Sequence, residues 1–199
     1  MREDAILSFA AMGGTMLLTV IFGLVYAKFL TRAWAPKKET PSGIANQLGL
    51  AFDGRAVSGV LAGREIAMWP EIRSNGQATY DATVIRMKLK APLDIGLQAT
   101  NATMPPAQAK LVTGDPTFDA KVDLHARAGR EAALLFGAGV RAALDPLFNG
   151  RCVVSDTEIV FERPTTTLGA NAAWDVRRAV QALEDAHARV HPVHPFRGS

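Results

Sequence analysis

TVIRMKLK, residues 83–90, decides the fold class. Thr83, Ile85, Met87 and Leu89 alternate with Val84, Arg86, Lys88 and Lys90, a period of two that belongs to a strand. One of its faces is apolar and suits a core; the other is largely basic and suits water or a ligand. Outward from this strand the punctuation is that of antiparallel β-structure. Upstream, Gly54, Gly59 and Gly63 mark turns or bulges around AVSGVLAG, residues 65–69 form a strand ended by Pro70, and Ser74-Asn75-Gly76 makes a turn. Downstream, residues 121–127 follow a turn at Gly114-Asp115-Pro116 as further strand.

At residue 130 the period changes. Residues 130–145 place Ala133, Gly137, Val140 and Leu144 on one helical face, and Pro146 closes the helix. Asn149-Gly150 turns the chain into residues 151–163, a hairpin bent at Ser155-Asp156. Asn171 is suited to cap a last helix, in which Val176, Val180, Leu183, His187 and Val190 share a face while Asp175, Arg178 and Asp185 point away. The expectation is an α+β domain over residues 47–190, with a mainly antiparallel sheet packed by two helices.

Before that domain comes the strongest signal for location. Residues 5–27 read AILSFAAMGGTMLLTVIFGLVYA, 23 residues without a charge. As a helix they cover roughly 35 Å, enough for a hydrocarbon core of about 30 Å. Tyr26 and Trp34 flank the far end, where amphipathic rings favour the headgroup layer. A cleaved signal peptide fits less well, because Glu3 and Asp4 stand beside Arg2 where a positive start is wanted. Residues 1–32 are therefore read as a single transmembrane anchor. Lys28, Arg32, Lys37 and Lys38 on the C-terminal side outweigh Arg2, which places the following domain in the cytoplasm of a bacterium, at the inner membrane. Within the anchor, Ala11, Thr15, Thr19, Gly23 and Ala27 recur every four residues as a stripe of small side chains. Such a stripe suits close packing against a second copy or another membrane protein. Residues 33–46, AWAPKKETPSGIAN, read as a linker, and residues 191–199 as a disordered tail.

Composition narrows the function classes. The chain has 199 residues, 48% of them apolar and 21% charged, normal for a folded domain. Five basic and three acidic residues lie in the first 39, leaving 17 basic against 16 acidic beyond, so the domain is nearly neutral. A nucleic-acid partner is not expected from that balance, nor from the basic strand face, which has no interleaved aromatic residues. One cysteine excludes a disulfide framework.

The stretch TGDPTFDAKVDLHARAGREAALLFGAGVRAALDPLF, then a hairpin and a final helix, resembles the C-terminal part of an uncharacterised family of membrane-anchored bacterial proteins. The likeness runs over roughly residues 112–190 and rests on the spacing around Asp115, Phe118 and Leu134. It implies an anchored domain in which an aspartate–phenylalanine element leads into a strand, helix, strand order. Members often have more than one membrane helix, whereas this chain shows one. The resemblance implies no activity and supplies no site residues.

Chemical motifs are sparse. There is no GxxxxGK[ST] (residues 54–59 have the glycine spacing without the lysine), no GxSxG, no HExxH and no CxxC, so neither cofactor nor metal is expected. Cys152 beside Val153 and Val154 suits a buried small residue better than a nucleophile. Two acidic constellations remain. Asp115, Asp119 and Asp123 repeat every four residues, a set a metal-dependent hydrolase would need, although Asp115 before Pro116 is also an ordinary turn start. Glu184, His187 and His191 share a helix face and have the donor types of a transition-metal site. The basic row Arg86, Lys88 and Lys90 is the best candidate binding surface. Its alternatives are plain solvation or neutralisation by acidic neighbours across the sheet. The expected function is that of a membrane-anchored binding or scaffold domain, non-catalytic, whose partners are the bilayer and a protein or second copy met through the anchor. The alternative is a metal-dependent hydrolase centred on Asp115 and Asp119.

Overall fold

The computed structural model describes residues 40–74, 76–102, 110–164 and 169–191. The apolar stretch 5–27, its stripe of Ala11, Thr15, Thr19, Gly23 and Ala27, residues 33–39 of the expected linker and residues 192–199 of the expected tail lie outside them. Among the described residues no helix is long and apolar enough to cross a membrane.

Among the described residues the domain is α+β: a nine-stranded sheet, antiparallel at every pairing, with helices packed against it. In chain order its elements are α1 (Pro41–Leu48), β1 (Ala51–Phe52), β2 (Val57–Leu61), β3 (Arg64–Ser74), β4 (Thr79–Lys88), β5 (Gln98–Thr100) and β6 (Lys110–Leu111). These are followed by α2 (Pro116–Lys121), β7 (Asp123–His125), α3 (Gly129–Leu135), α4 (Ala138–Leu144), a 3-10 turn (Leu147–Asn149), β8 (Arg151–Ser155), β9 (Glu158–Pro164) and α5 (Ala170–Val190). The strands lie in the order β1-β2-β3-β4-β9-β8-β5-β7-β6.

The expected alternation holds from Ile85 onward, with Ile85, Met87 and Leu89 buried and Arg86, Lys88 and Lys90 exposed, but not before it: Val84, on the face of Arg86, is buried, and Thr83 is only half-buried. The strand itself starts earlier, at Thr79, because the hairpin through Gly76 (φ 86°) pairs it with β3 from Ser74↔Thr79 onward. The β8–β9 hairpin turns between Ser155 and Glu158, and Ser155 Oγ accepts from the Glu158 amide at 3.2 Å. This hairpin inserts between β4 and β5. The chain leaving β4 passes the hairpin tip, where Leu89 N donates to Thr157 O at 2.8 Å and Leu93 N to Asp156 O at 2.9 Å. The Asp156 carboxylate then takes the amides of Gly96 and Leu97, each at 2.9 Å, and launches β5 along the opposite side of the hairpin.

The helices differ from the expected pair, for local reasons. Pro41, read as part of a linker, is the first residue of α1: Thr40 Oγ1 caps the Gly43 amide at 3.1 Å, and Gly49 (φ 66°) closes the other end. Proline just inside the start and glycine just past the end are helix boundaries as much as linker signals. Ile44, Ala45 and Leu48 bury that helix against β1, β2 and α5. Asp115 likewise starts a helix and not merely a turn, accepting from the amides of Thr117 and Phe118, so Lys121 ends α2 and the strand is only Asp123–His125. The single helix expected over residues 130–145 is two, broken at Phe136-Gly137 where Gly137 is extended (ψ 170°). The break turns Phe136 fully inward, 6.1 Å from the ring of Phe118, and changes the inward face. Ala132, Leu135, Val140 and Leu144 are buried, whereas Ala133 and Gly137 are exposed. Asn171 is not the cap of α5; Gly169 is, with no side-chain hydrogen bond. The inward set Val176, Val180 and Leu183 is as expected, with His187 and Val190 half-buried at its end. This helix covers β4 and β9 and is flanked by α1 on one side and α3 and α4 on the other. Fully buried Ile85, Met87, Leu124, Phe136, Leu144, Ile159 and Leu183 form the core between helices and sheet.

Candidate functional site

Among the described residues α5 contacts β4 and β9, and the strand pairings place Arg86 and Lys88 on the side of β4 opposite Ile85 and Met87, a face that is exposed at these two residues but buried at Ala82 and Val84. Ala67 pairs Arg86, Arg86 pairs Val160, and Lys88 pairs Glu158, so these side chains stand together on the open face. The register also brings acids beside the bases. Lys88 Nζ lies 2.6 Å from Glu65 on β3, and Arg86 Nε lies 3.6 Å from Glu158 on β9. Trp69 completes the patch, with the Arg86 guanidinium 5.4 Å from its ring centroid. Both cations keep about half their surface in water (49% and 56%), so the pairs themselves contribute only about 0–1 kcal/mol each. Lys90 lies beyond the end of β4, where its backbone amide donates to Glu184 Oε1 at 2.8 Å. The basic row of the sequence is thus a ladder of alternating charge.

Farther along the same face is a residue that the sequence reading missed. Glu162 on β9 is nearly buried, with Arg73 at 3.2 Å, Arg151 at 3.8 Å and the Tyr80 hydroxyl donating at 3.5 Å. A cleft of about 480 Å³ opens beside it, lined by Tyr80, Asn101, Asn149, Gly150, Arg151 and Glu162. Asn101 holds the cleft wall: its amide donates to Phe148 O at 3.0 Å and its carbonyl accepts from Cys152 N at 2.9 Å. Gly150 has no space for a side chain, since a Cβ there would lie 2.6 Å from Glu162 O. The signal for Glu162 was present in the hairpin. A turn at residues 156–157 pairs Arg151 with Glu162, two complementary charges on one face.

The carboxylates of the hydrolase alternative do not converge. Asp115 caps α2 and faces Arg141 Nε at 3.3 Å. Asp119 folds back on the preceding loop, accepting from Thr113 N at 3.0 Å, Thr113 Oγ1 at 2.8 Å and Gly114 N at 3.2 Å. Partial burial pushes its pKa up, but these donors and Lys110 outweigh that and hold it below the ordinary 3.8. Asp123 binds Lys110 at 2.6 Å, and that bond leads a net lowering of its pKa. Each carboxylate thus serves a local structural purpose.

Glu184 is likewise drawn away from His187 and His191. Its carboxylate pairs with Arg64, whose side chain is 1% exposed, Nε donating at 3.1 and 3.2 Å. The two histidine rings instead lie 4.9 Å apart, and His191 Nε2 is 3.5 Å from Glu131. Among the described residues no group of three or more His, Cys, Asp or Glu is placed to hold a metal ion. Cys152 is fully buried, and burial pushes its thiol pKa up to about 12, which keeps it a protonated, unreactive core residue.

No protein-family model matches the chain, and no curated protein matches its sequence. Among solved structures, the crystal structure of the mycobacterial trehalose monomycolate transport factor A, TtfA, is similar at 15% identity and a TM-score of 0.46. The match covers 70% of this chain and 74% of that one.

Proposed function

We propose that the chain is a single-pass, membrane-anchored binding module, non-catalytic, whose domain receives a protein partner on the open face of its sheet. The observation that carries this reading is the charge pattern on the side of β4 away from Ile85 and Met87, where Arg86 and Lys88 are exposed beside Trp69 and beside acids that alternate with them in sign. A balanced ladder of this kind suits a protein surface of matching charge pattern, because like charges facing each other are costly and opposite ones fix register. Lys90, exposed beyond the end of β4, is the third basic residue of the proposed binding row. The local tasks of Asp115, Asp119 and Asp123 favour binding over the hydrolase alternative.

Residues 5–27 are the anchor in this reading, placed in the bacterial inner membrane with the domain in the cytoplasm by the basic flank at Lys28, Arg32, Lys37 and Lys38. The stripe Ala11, Thr15, Thr19, Gly23 and Ala27 is the contact for a second copy or another membrane protein.

The test is site-specific photo-crosslinking from Ala67 in the full chain, in native membranes. A discrete adduct that Asp115→Asn retains and R86E/K88E loses supports the reading. Absence of an adduct overturns it, as does an adduct indifferent to the charge reversals. A divalent ion held at about one per chain and lost in D115N/D119N favours the hydrolase. A compartment-specific reporter fused after Ser199 reads the orientation: an external signal reverses it and makes the domain an envelope component.

A further inference from the structure

We propose that the free edge of β3, from Trp69 to Ser74, pairs antiparallel with the same edge of a second copy of this chain, in a register centred on Ile72. The contact belongs to the domain and depends neither on the anchor nor on the partner of Arg86 and Lys88. β3 outruns one of its neighbours: β2 pairs it only from Arg64 to Met68, whereas β4 pairs it from Ile66 to Ser74. Among the described residues no strand continues β2 along Trp69–Ser74, so this stretch presents an open ladder edge, the template for strand addition. Ile72 within it is 75% exposed, a large apolar side chain that the domain leaves in water.

Two features fix the direction of the backbone groups. Pro70 pairs Thr83 of β4, and a proline inside a strand turns its missing donor away from its partner. Alternate residues point the same way, so Pro70, Ile72 and Ser74 direct their backbone groups to the free edge. The β2–β3 turn gives the same phase. Ala62 and Gly63 (φ 51° and 77°) make a two-residue loop closed by Leu61 and Arg64, and Arg64, Ile66 and Met68 are in step with Pro70.

Charge then selects one register. A two-fold axis at Glu71 sets Glu71 against itself, and one at Arg73 sets Arg73 against itself; like charges directly opposite are unfavourable. An axis at Pro70 leaves its central pair without a donor. An axis at Ile72 sets Glu71 of each copy opposite Arg73 of the other. It also lets the two Ile72 residues exchange amide–carbonyl bonds, while each Ser74 amide donates to Pro70 O of the other copy. In the single chain Arg73 meets Glu71 at 3.0 Å and Glu162 at 3.2 Å. Both members of the exposed pair stay accessible, with 34% and 37% of their side-chain surface in water. On the other side of the ribbon the two Ile72 side chains come together and remove apolar surface from water. Such a two-fold contact closes on itself and does not propagate.

The experiment uses the full chain in mild detergent with one cysteine added at the centre of the register (I72C). In a bonded antiparallel pair the Cα atoms stand about 5.5 Å apart, inside the disulfide range of about 4.4–6.8 Å. Mild oxidation is expected to give a disulfide dimer from I72C. E65C gives none, because Glu65 is 67% exposed but β2 already occupies that part of the edge. E71R and R73E, each added to I72C, lower the dimer fraction about tenfold. Mixing these two charge-reversed chains restores it as a heterodimer, since each then offers the charge that the other lacks. Circular dichroism checks that each variant is folded. Should R73E unfold through loss of its Glu162 contact, E71R alone is read, and undiminished crosslinking overturns the proposal. A yield from I72C no greater than from E65C also overturns it. So does crosslinking indifferent to both reversals, which reports mere proximity through the anchor, and so does a mixture of folded E71R and R73E chains that stays uncrosslinked.

Discussion

Arg64→Met removes one partner of a buried charge pair and leaves Glu184 without its cation. In the native domain the Arg64 side chain is 1% exposed, its Nε donates to both Glu184 oxygens at 3.1 and 3.2 Å, and its Nη1 donates to Ala62 O at 3.0 Å. Glu184 also accepts the Lys90 amide at 2.8 Å, so its carboxylate cannot swing into water without abandoning that bond. Breaking such a pair from one side costs about 3–5 kcal/mol, chiefly the penalty of the charge left behind. Adding Glu184→Gln removes the stranded charge while keeping an oxygen for the Lys90 amide. The double variant therefore recovers about 2 kcal/mol or more of the loss. The assay is urea unfolding of the full chain in mild detergent, followed by tryptophan emission and analysed as a double-mutant cycle. A loss below about 1 kcal/mol for Arg64→Met refutes the argument, and so does a double variant no more stable than the single one.

Three further outcomes follow from other parts of the domain. Gly150→Ala forces a Cβ to within 2.6 Å of Glu162 O and 2.8 Å of the Phe161 ring, and lowers stability by about 2 kcal/mol or more in the same unfolding assay. Asp119 and Asp123 titrate below 3.8 in the fold, so the stability they contribute is fully present above that pH and drains away as pH falls through their lower folded values. Asp119→Asn accordingly weakens the domain at neutral pH and flattens its acid unfolding limb; an unchanged limb counts against the Thr113 and Gly114 bonds. Cys152 resists thiol reagents at pH 8 until the domain unfolds, and labelling at the rate of an exposed thiol refutes its placement in the core.

The candidate surfaces were unequally legible. Arg86 and Lys88 were readable because their position depends only on the period of one strand, and Arg151–Glu162 lay within reach of the hairpin register. Acidic neighbours across the sheet were an open alternative: Glu65 meets Lys88 in the register of the β3–β4 hairpin, whereas Glu158 reaches Arg86 only after the β8–β9 hairpin inserts beside β4. Glu184 shows the limit most plainly. On its own helix it sits near His187 and His191, but the fold gives it to Arg64, 120 residues earlier in the chain.

By itself the sequence determined what short-range chemistry controls: strand alternation from Ile85 to Lys90, the turn at Gly76 (though not the strand that runs through Pro70 into it), the hairpin of residues 151–163, the apolar face of α5 and the uncharged segment 5–27. Each follows from side-chain period or from the backbone freedom of one or two residues. It also contained, ambiguously, the Thr40-Pro41 and Asp115-Pro116 helix starts, because a capping residue before proline begins a turn and a helix alike. Tertiary structure alone decided the rest. The break at Gly137 is settled by Phe136 finding space against Phe118, and the order of the sheet by a hairpin entering between β4 and β5. The balance of charge on the open face is decided the same way, because which ions meet depends on strand neighbours that no local pattern specifies.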